Sequence, residues 1–268
     1  HVKSDGTLNT DKVPENKLRQ IRTKAKEHGV KVLISLNKNS NGEFAAAIDN
    51  AETRSALVSN IVNFTQANQL DGFDIDYEDY NHWNTNSLVA FAEALHEAKR
   101  ADMLMSCAVI CWKDYTTKWQ EYFDYINIMS YDRVMGNSST PGQHASYNDF
   151  VNDMNYWITK FQAPKSKIVG GLPFYGYSWD NDVNKDEVGA IRFNGILTHF
   201  GKTYDVKEIA DADQFGKTYY NGRPTIRKKC QYVMDNDFGG VMIWQLFQDA
   251  YQEELKLIKV VGEVIMQE

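Results

Sequence analysis

An α/β fold built on a parallel sheet follows from two features of this 268-residue chain. Short β-branched apolar runs recur along it, and each is followed by a segment with apolar residues at three- and four-residue spacing. The runs are apolar on both parities, as in strands covered on both faces.

Taken in order, Val2-Lys-Ser-Asp-Gly-Thr-Leu8 reads as the loop after a strand that precedes this chain. A helix is predicted over Val13 to His28, with Gly29 as its stop. The strand Lys31-Val-Leu-Ile-Ser-Leu36 follows, then a helix from Arg54 to Asn68 and the strand Asp71 to Glu78. A helix over Ser87 to Ala101 leads to strands at Leu104 to Val109, Tyr125 to Tyr131 and Ile168 to Phe174. Ser178 to Asp213, with its acidic stretch Asp180 to Glu187, reads as a long loop region of the kind that shapes a binding cleft.

Lys217 to Tyr220 is expected as the penultimate strand of the parallel set. Pro224 fits the first turn of a helix reaching Asn236, where a missing N–H costs nothing. Gly240 to Trp244 is the last strand, and a final helix runs from about Asp249. These strands describe a (β/α)8 barrel whose first strand is missing from the supplied chain, with an open doubly wound sheet as the alternative. No repeat, low-complexity run or Pro/Ser-rich linker interrupts residues 1–268, which are read as one N-terminally truncated barrel domain.

Composition narrows the function. A net charge of -7 opposes the clustered Lys and Arg that nucleic-acid binding needs. No uncharged apolar stretch is long enough to span a membrane, and the first residues lack the pattern of a signal peptide. The three cysteines, Cys107, Cys111 and Cys230, have neither disulfide nor metal-ligand spacing and read as small buried hydrophobes. The six His show no paired ligand spacing, so neither a metal nor another cofactor is expected. Fifteen Tyr and six Trp suit a large core or a cleft that stacks sugar rings.

The run Asp71-Gly-Phe-Asp-Ile-Asp-Tyr-Glu78 carries the chemistry. Strand alternation puts Asp74, Asp76 and Glu78 on one face and Phe73, Ile75 and Tyr77 on the other. Clustered, desolvated carboxyls raise one another's pKa, which a chain does not normally accept for structure alone. A calcium loop would need its glycine and its twelfth-position Glu, and neither spacing is present. Glu78, at the C-terminal end of the strand, is the candidate proton donor, Asp76 its proton-sharing partner, and Asp74 tunes Asp76 from one pleat deeper.

This run closely resembles the DxxDxDxE signature of glycoside hydrolase family 18, the chitinases and related endo-N-acetylglucosaminidases. Asn127-Ile-Met-Ser-Tyr-Asp132 is similar to the family's MxYD strand, Gly171-Leu-Pro-Phe-Tyr-Gly176 to its sixth strand and Gly239-Gly-Val-Met-Ile-Trp244 to its last, in the family's order. The resemblance implies retaining, substrate-assisted hydrolysis of β-1,4 linkages in chitin or N-acetylglucosamine oligomers. Glu78 would protonate the glycosidic oxygen while the substrate's acetamide oxygen attacks, giving an oxazolinium intermediate. Asp76 would orient the acetamide N–H, and Tyr131 would donate to the acetamide oxygen. Met129 and Asp132 would line the sugar subsite, with Trp244 as its apolar floor. Tyr175 is a further substrate-binding candidate, and Tyr177, Trp179, Trp83 and Trp112 are weaker ones.

The chain departs from the family pattern where a Ser-x-Gly-Gly motif gives way to Ser35-Leu-Asn-Lys38, and where Tyr177 stands in place of an Arg. Alternative functions are an endo-β-N-acetylglucosaminidase acting on N-linked glycans and a non-catalytic, lectin-like barrel, the latter disfavoured by the presence of Glu78. The expected partner is an N-acetylglucosamine-containing polysaccharide or oligosaccharide, and the expected location is secreted or cell-envelope.

Overall fold

The computed structural model describes residues 1–266, and the chain divides into two compact units, His1–Ile126 with Thr159–Ala163 and Asn127–Ile158 with Pro164–Glu268.

The first unit opens with α1 (Glu15–Glu27), which ends where Gly29 takes φ +67°. Then come β1 (Leu33–Leu36), α2 (Glu43–Asp49) and α3 (Ala51–Ala67). These lead to β2 (Gly72–Asp76), α4 (Thr85–Ala98), β3 (Leu104–Val109), α5 (Trp119–Tyr122) and β4 (Tyr125–Ile128), which the division cuts. Asn50 and Asn84 start α3 and α4 by accepting from their free N–H groups. The strands are parallel, in the order β1-β2-β3-β4. Their register sets Ser35 beside Asp74 and Asp74 beside Ser106.

Phe73, Ile75 and Tyr77 are buried on the helix-facing side of β2, where Phe44 of α2 meets Tyr77 edge-on at 5.1 Å and Phe91 of α4 at 5.7 Å. Burying each such ring contributes roughly 1.5–3 kcal/mol. Val2, expected in a loop, is fully buried and makes an isolated parallel bridge to Lys38.

In the second unit β4 is followed by α6 (Tyr147–Phe161), β5 (Ile168–Pro173), β6 (Tyr175–Ser178), β7 (Ala190–Arg192), α7 (Phe193–Phe200) and α8 (Val206–Asp211). Then come β8 (Gln214–Phe215), β9 (Thr218–Tyr219), α9 (Arg223–Asp235), β10 (Gly240–Trp244) and α10 (Leu257–Ile265). Parallel order continues as β4-β5-β10. In both units each strand lies beside the next of the parallel set without reversal, which is barrel winding and excludes the doubly wound alternative.

Several boundaries differ from expectation. Lys217 to Tyr220 is not a parallel strand: β9 pairs antiparallel with β6 and β8 in a separate sheet of order β7-β6-β9-β8. The cause is local, since Gly216 at φ +56° folds β8 and β9 into a tight hairpin, a connection open only to antiparallel strands. Ser178 to Asp213 holds β7, α7 and α8 rather than loop alone, because Phe193, Ile196 and Leu197 bury one face of α7 and Asp205 caps α8. The last helix begins at Leu257, not Asp249, whose carboxylate accepts from the N–H groups of Ala250, Leu257 and Ile258. β4 stops at Ile128, where Ser130 N–H turns back on the Ile128 carbonyl and Asp132 takes φ +61°. Among the described residues no helix is long and apolar enough to cross a membrane.

Candidate active site

In the first unit, β2 delivers Asp74, Asp76 and Glu78 from one face, as alternation requires. Asp74 is held from both flanking strands. Ser106 Oγ donates to its Oδ1 at 2.6 Å and Ser35 Oγ to its Oδ2 at 3.1 Å. Asn37, just past β1, donates its amide to Asp76 Oδ2 at 2.8 Å and more weakly to Glu78 Oε2 at 3.5 Å. Tyr80 donates to Glu78 Oε1 at 3.2 Å. Burial first, then the charge of Glu78, drive the Tyr80 hydroxyl upward, so it remains a donor.

Asp76 is the strained member of the group. Its Oδ1 is buried with no hydrogen-bond partner among the described residues. Burial first, then the charges of Glu78 and Asp74, push its carboxyl up to about 8, against the opposing pull of Asn37 and Lys38. An acid that holds its proton near neutral pH beside a second carboxyl is suited to shared proton transfer.

The exit of β2 is fixed by Asp79, which is fully buried. Its carboxylate accepts from Gly42 N–H at 2.8 Å and Ala45 N–H at 3.0 Å, capping the start of α2. Lys38 Nζ lies 3.7 Å from Asp79 and donates to the Glu78 carbonyl at 2.9 Å. Gly42 is required here: it holds φ +81°, and a Cβ would come within 3.2 Å of the His82 ring. Asp71 stands apart from the acids, joining Val32 N–H at 2.9 Å and Lys31 at 3.0 Å at the start of the strands. A cavity of about 550 Å3, lined by Arg22, Lys26, Lys31 and Asp71, lies at that same end, away from Glu78.

Aromatic rings extend from the acids. Tyr80 packs against Trp83 at 6.5 Å and Trp112 at 6.1 Å, and Trp112 is exposed. Trp83 is the more structural of the two, its indole N–H shared between Thr85 Oγ1 and the Asp114 carbonyl.

In the second unit Tyr131, Tyr175 and Tyr177 form one buried cluster with Ala145, against which Met129, Trp179 and Met242 pack. Met129 and Tyr131 lie past the end of β4 rather than on it, yet both reach this cluster. Gly171 of β5 leaves room for the Tyr131 ring, since a Cβ there would meet the Ile128 carbonyl at 2.4 Å and Tyr131 Cε1 at 2.9 Å. Tyr131 also directs its hydroxyl at Met242 Sδ, 3.9 Å away.

Asp132 accepts from Tyr175 at 2.5 Å and Tyr177 at 2.9 Å, and its backbone N–H points to Nδ1 of buried His144 at 3.4 Å. Burial alone would push the Asp132 carboxyl up. His144, Tyr175 and Tyr177 outweigh it and hold the carboxyl below its ordinary range. Tyr175 thus serves Asp132, and Tyr177, which stands where an Arg was expected, supplies a second donor. Trp244 closes β10 half-exposed, leaving ring surface open to solvent.

Asn37, Lys38, Tyr80 and His144 were not singled out as site residues from the sequence. Asn37 and Lys38 were legible as polar residues directly after a strand's C-terminal end, whereas a lone His144 carries no such signal. Among the described residues no disulfide joins the three cysteines; Cys107 and Cys230 are buried as expected, whereas Cys111, just beyond β3, is only partly buried. Among the described residues no group of three or more His, Cys, Asp or Glu is placed to hold a metal ion.

The model of the glycosyl hydrolases family 18 matches residues 1–249. A crystal structure of a chitinase from Bacteroides thetaiotaomicron is 53% identical, superposes with a TM-score of 0.95 and is covered over 86% of its chain by 100% of this one. The GH18 chitinase ChiB from the chitin utilization locus of Flavobacterium johnsoniae is 28% identical, with a TM-score of 0.80 over 98% of this chain and 83% of its own. A probable chitinase 10 of Drosophila melanogaster is 24% identical over 94% of this chain, which spans only 14% of that relative's length.

Proposed function

Since the chain belongs to glycoside hydrolase family 18, we propose that it hydrolyses β-1,4 linkages in chitin or N-acetylglucosamine oligomers with retention, using the substrate's own acetamide as nucleophile. The observation that carries this reading is the face of β2, where Asp76, its carboxyl pushed up to about 8, lies between Asp74 and Glu78 in sequence and shares the Asn37 amide with Glu78. The 53% identity to a bacterial chitinase supports the choice of substrate class.

Glu78 gives its proton to the glycosidic oxygen as the C1–O bond breaks. The acetamide carbonyl oxygen bonds to C1, and the resulting oxazolinium carries a positive charge. Asp76, its proton passed to the neighbouring Asp74, accepts from the acetamide N–H and as a carboxylate balances that charge, which favours the intermediate over the bound substrate. Water then adds to C1, its proton passes to the Glu78 carboxylate, and the ring opens to restore the acetamide. By resemblance to the family, the second unit's residues take the remaining roles: Tyr131 a donor to the acetamide oxygen, Met129 and Asp132 the lining of a sugar subsite, Asp132 as acceptor for a hydroxyl, and Trp244 an apolar face for a sugar ring. A lectin-like role leaves the proton-sharing row without a task.

Chromatographic analysis of products from chitin oligomers, run beside a high-mannose glycopeptide, tests the proposal. Chitobiose release from the oligomers alone is expected, together with a loss of at least 100-fold in kcat for Glu78→Gln, in line with removal of a general acid. Release of the glycan from the glycopeptide alone would instead identify an endo-N-acetylglucosaminidase, and unchanged turnover in Glu78→Gln would overturn the mechanism.

A further inference from the structure

Where the family pattern places two glycines after the second strand, this chain has Asn37 and Lys38, and both side chains reach the acidic row. Asn37 Nδ2 spans Asp76 Oδ2 at 2.8 Å and Glu78 Oε2 at 3.5 Å. Its carbonyl oxygen accepts the Lys38 N–H, which fixes which end of the amide faces the acids. The main chain is held as well, because Val2 N–H donates to the Asn37 carbonyl at 2.7 Å and Asn39 N–H to the Val2 carbonyl at 3.0 Å. Lys38 Nζ then bonds the Glu78 carbonyl at 2.9 Å and lies 3.7 Å from buried Asp79.

We infer that Asn37 and Lys38 are positioning residues for the acid pair, Asn37 bridging the Asp76 and Glu78 carboxyls and Lys38 pinning the Glu78 backbone while bringing a cation to the row. This rests on the hydrolytic reading above. Glycines at these positions offer neither a bridging amide nor a charge, so the pair sets a property of this chain that backbone alone does not provide.

Within the first unit the charged and titratable groups around Asp76 include Asp74, Glu78, Asp79, Tyr80, Tyr115 and Lys38, and Lys113 lies farther out, its Nζ donating to the Tyr80 carbonyl at 2.6 Å. Among these the two lysines are the cations, and of the two only Lys38 is among the groups that draw on the Asp76 carboxyl. The carboxyls titrate as a coupled set, so their apparent values move together when the cation is lost. Asn37 and Lys38 both draw the Asp76 carboxyl downward against burial. Removing either therefore moves the set upward.

The test uses the full chain and its Lys38→Met, Lys38→Arg and Asn37→Leu variants, with a fluorogenic N-acetylchitobioside as substrate. For Lys38→Met both limbs of the kcat/KM profile are expected to move to higher pH by about one unit, the effect of one nearby charge in a half-buried setting. Lys38→Arg, which keeps the charge, should restore the original profile, and Asn37→Leu should move it in the Met direction. Carboxyl 13C titration of Asp76 in the same proteins reads the shift without turnover, and urea midpoints identify any variant that fails to fold. Hydrolysis by the wild type with no shift in Lys38→Met, or an equal shift in Lys38→Arg, overturns the inference. A 13C shift in a protein that hydrolyses no chitobioside supports the positioning role and refutes the hydrolytic reading instead.

Discussion

Asp79→Ala removes the carboxylate that caps α2 and sits against Lys38. Asp79 is fully buried, so its loss strands two N–H groups, those of Gly42 and Ala45, in a site without other acceptors from its side chain. Leaving a buried donor unpaired costs about 1–3 kcal/mol per group. Lys38 is 30% exposed and can turn to water, so the loss of its ion pair adds less than about 1 kcal/mol. The total is about 2–7 kcal/mol, a large share of the 5–15 kcal/mol by which a typical native protein is stable. That corresponds to a fall of roughly 10 °C in Tm for a chain of this size. Asp79→Asn keeps one carbonyl acceptor and should lose about half as much. Urea denaturation at pH 7, followed by circular dichroism and compared at equal m, measures both variants. A loss below about 1 kcal/mol for Asp79→Ala, or equal losses for the two, would show that Asp79 does not cap α2 as described.

Asp76 binds its proton near pH 8 when folded but near pH 4 when unfolded, so its contribution to stability is fully present below about pH 4 and is lost as pH rises toward 8. Asp76→Asn abolishes that dependence, and the wild-type urea midpoint should fall relative to the variant between pH 5 and pH 8; parallel curves would contradict the raised carboxyl. Tyr175→Phe removes the 2.5 Å donor to Asp132 and should raise the Asp132 carboxyl toward its ordinary value, seen by 13C titration, with a stability loss of about 1.5–3 kcal/mol for a hydrogen bond to a charged group. An unmoved Asp132 titration would count against that network. Gly171→Ala forces the Ile128 carbonyl or the Tyr131 ring aside and should cost about 1–3 kcal/mol and lower kcat for chitin oligomers; wild-type turnover with wild-type stability would mean that Tyr131 does not depend on this opening.

Much of this was legible in the chain because it depends on local periodicity. The alternation of Asp74, Asp76 and Glu78 with Phe73, Ile75 and Tyr77 follows from strand geometry alone, and the structure keeps it with the apolar set buried. The strand–helix alternation announced a parallel sheet for the same reason. Where a boundary was decided by a single contact from a distant residue, sequence pattern did not reach it. Asp249 holding back α10 is one such case, and Gly216 turning Lys217 to Tyr220 into a hairpin is another. His144 behind Asp132 and Asp79 at the head of α2 likewise depend on partners 12 and more than 30 residues away.

The sequence by itself determined that three carboxyls share a strand face, that the fold is α/β with parallel strands and that the chain resembles a glycosidase family, since each is written in periodicity or in a contiguous motif. Only the tertiary structure decided how the acidic row is held: that Asn37 bridges two of its members, that Lys38 brings a cation to it, and that Asp76 has one buried oxygen without a hydrogen-bond partner among the described residues. Charge and desolvation act through space, and the residues that supply them are brought to the row by β1 lying beside β2, a neighbour relation that no spacing along the chain encodes.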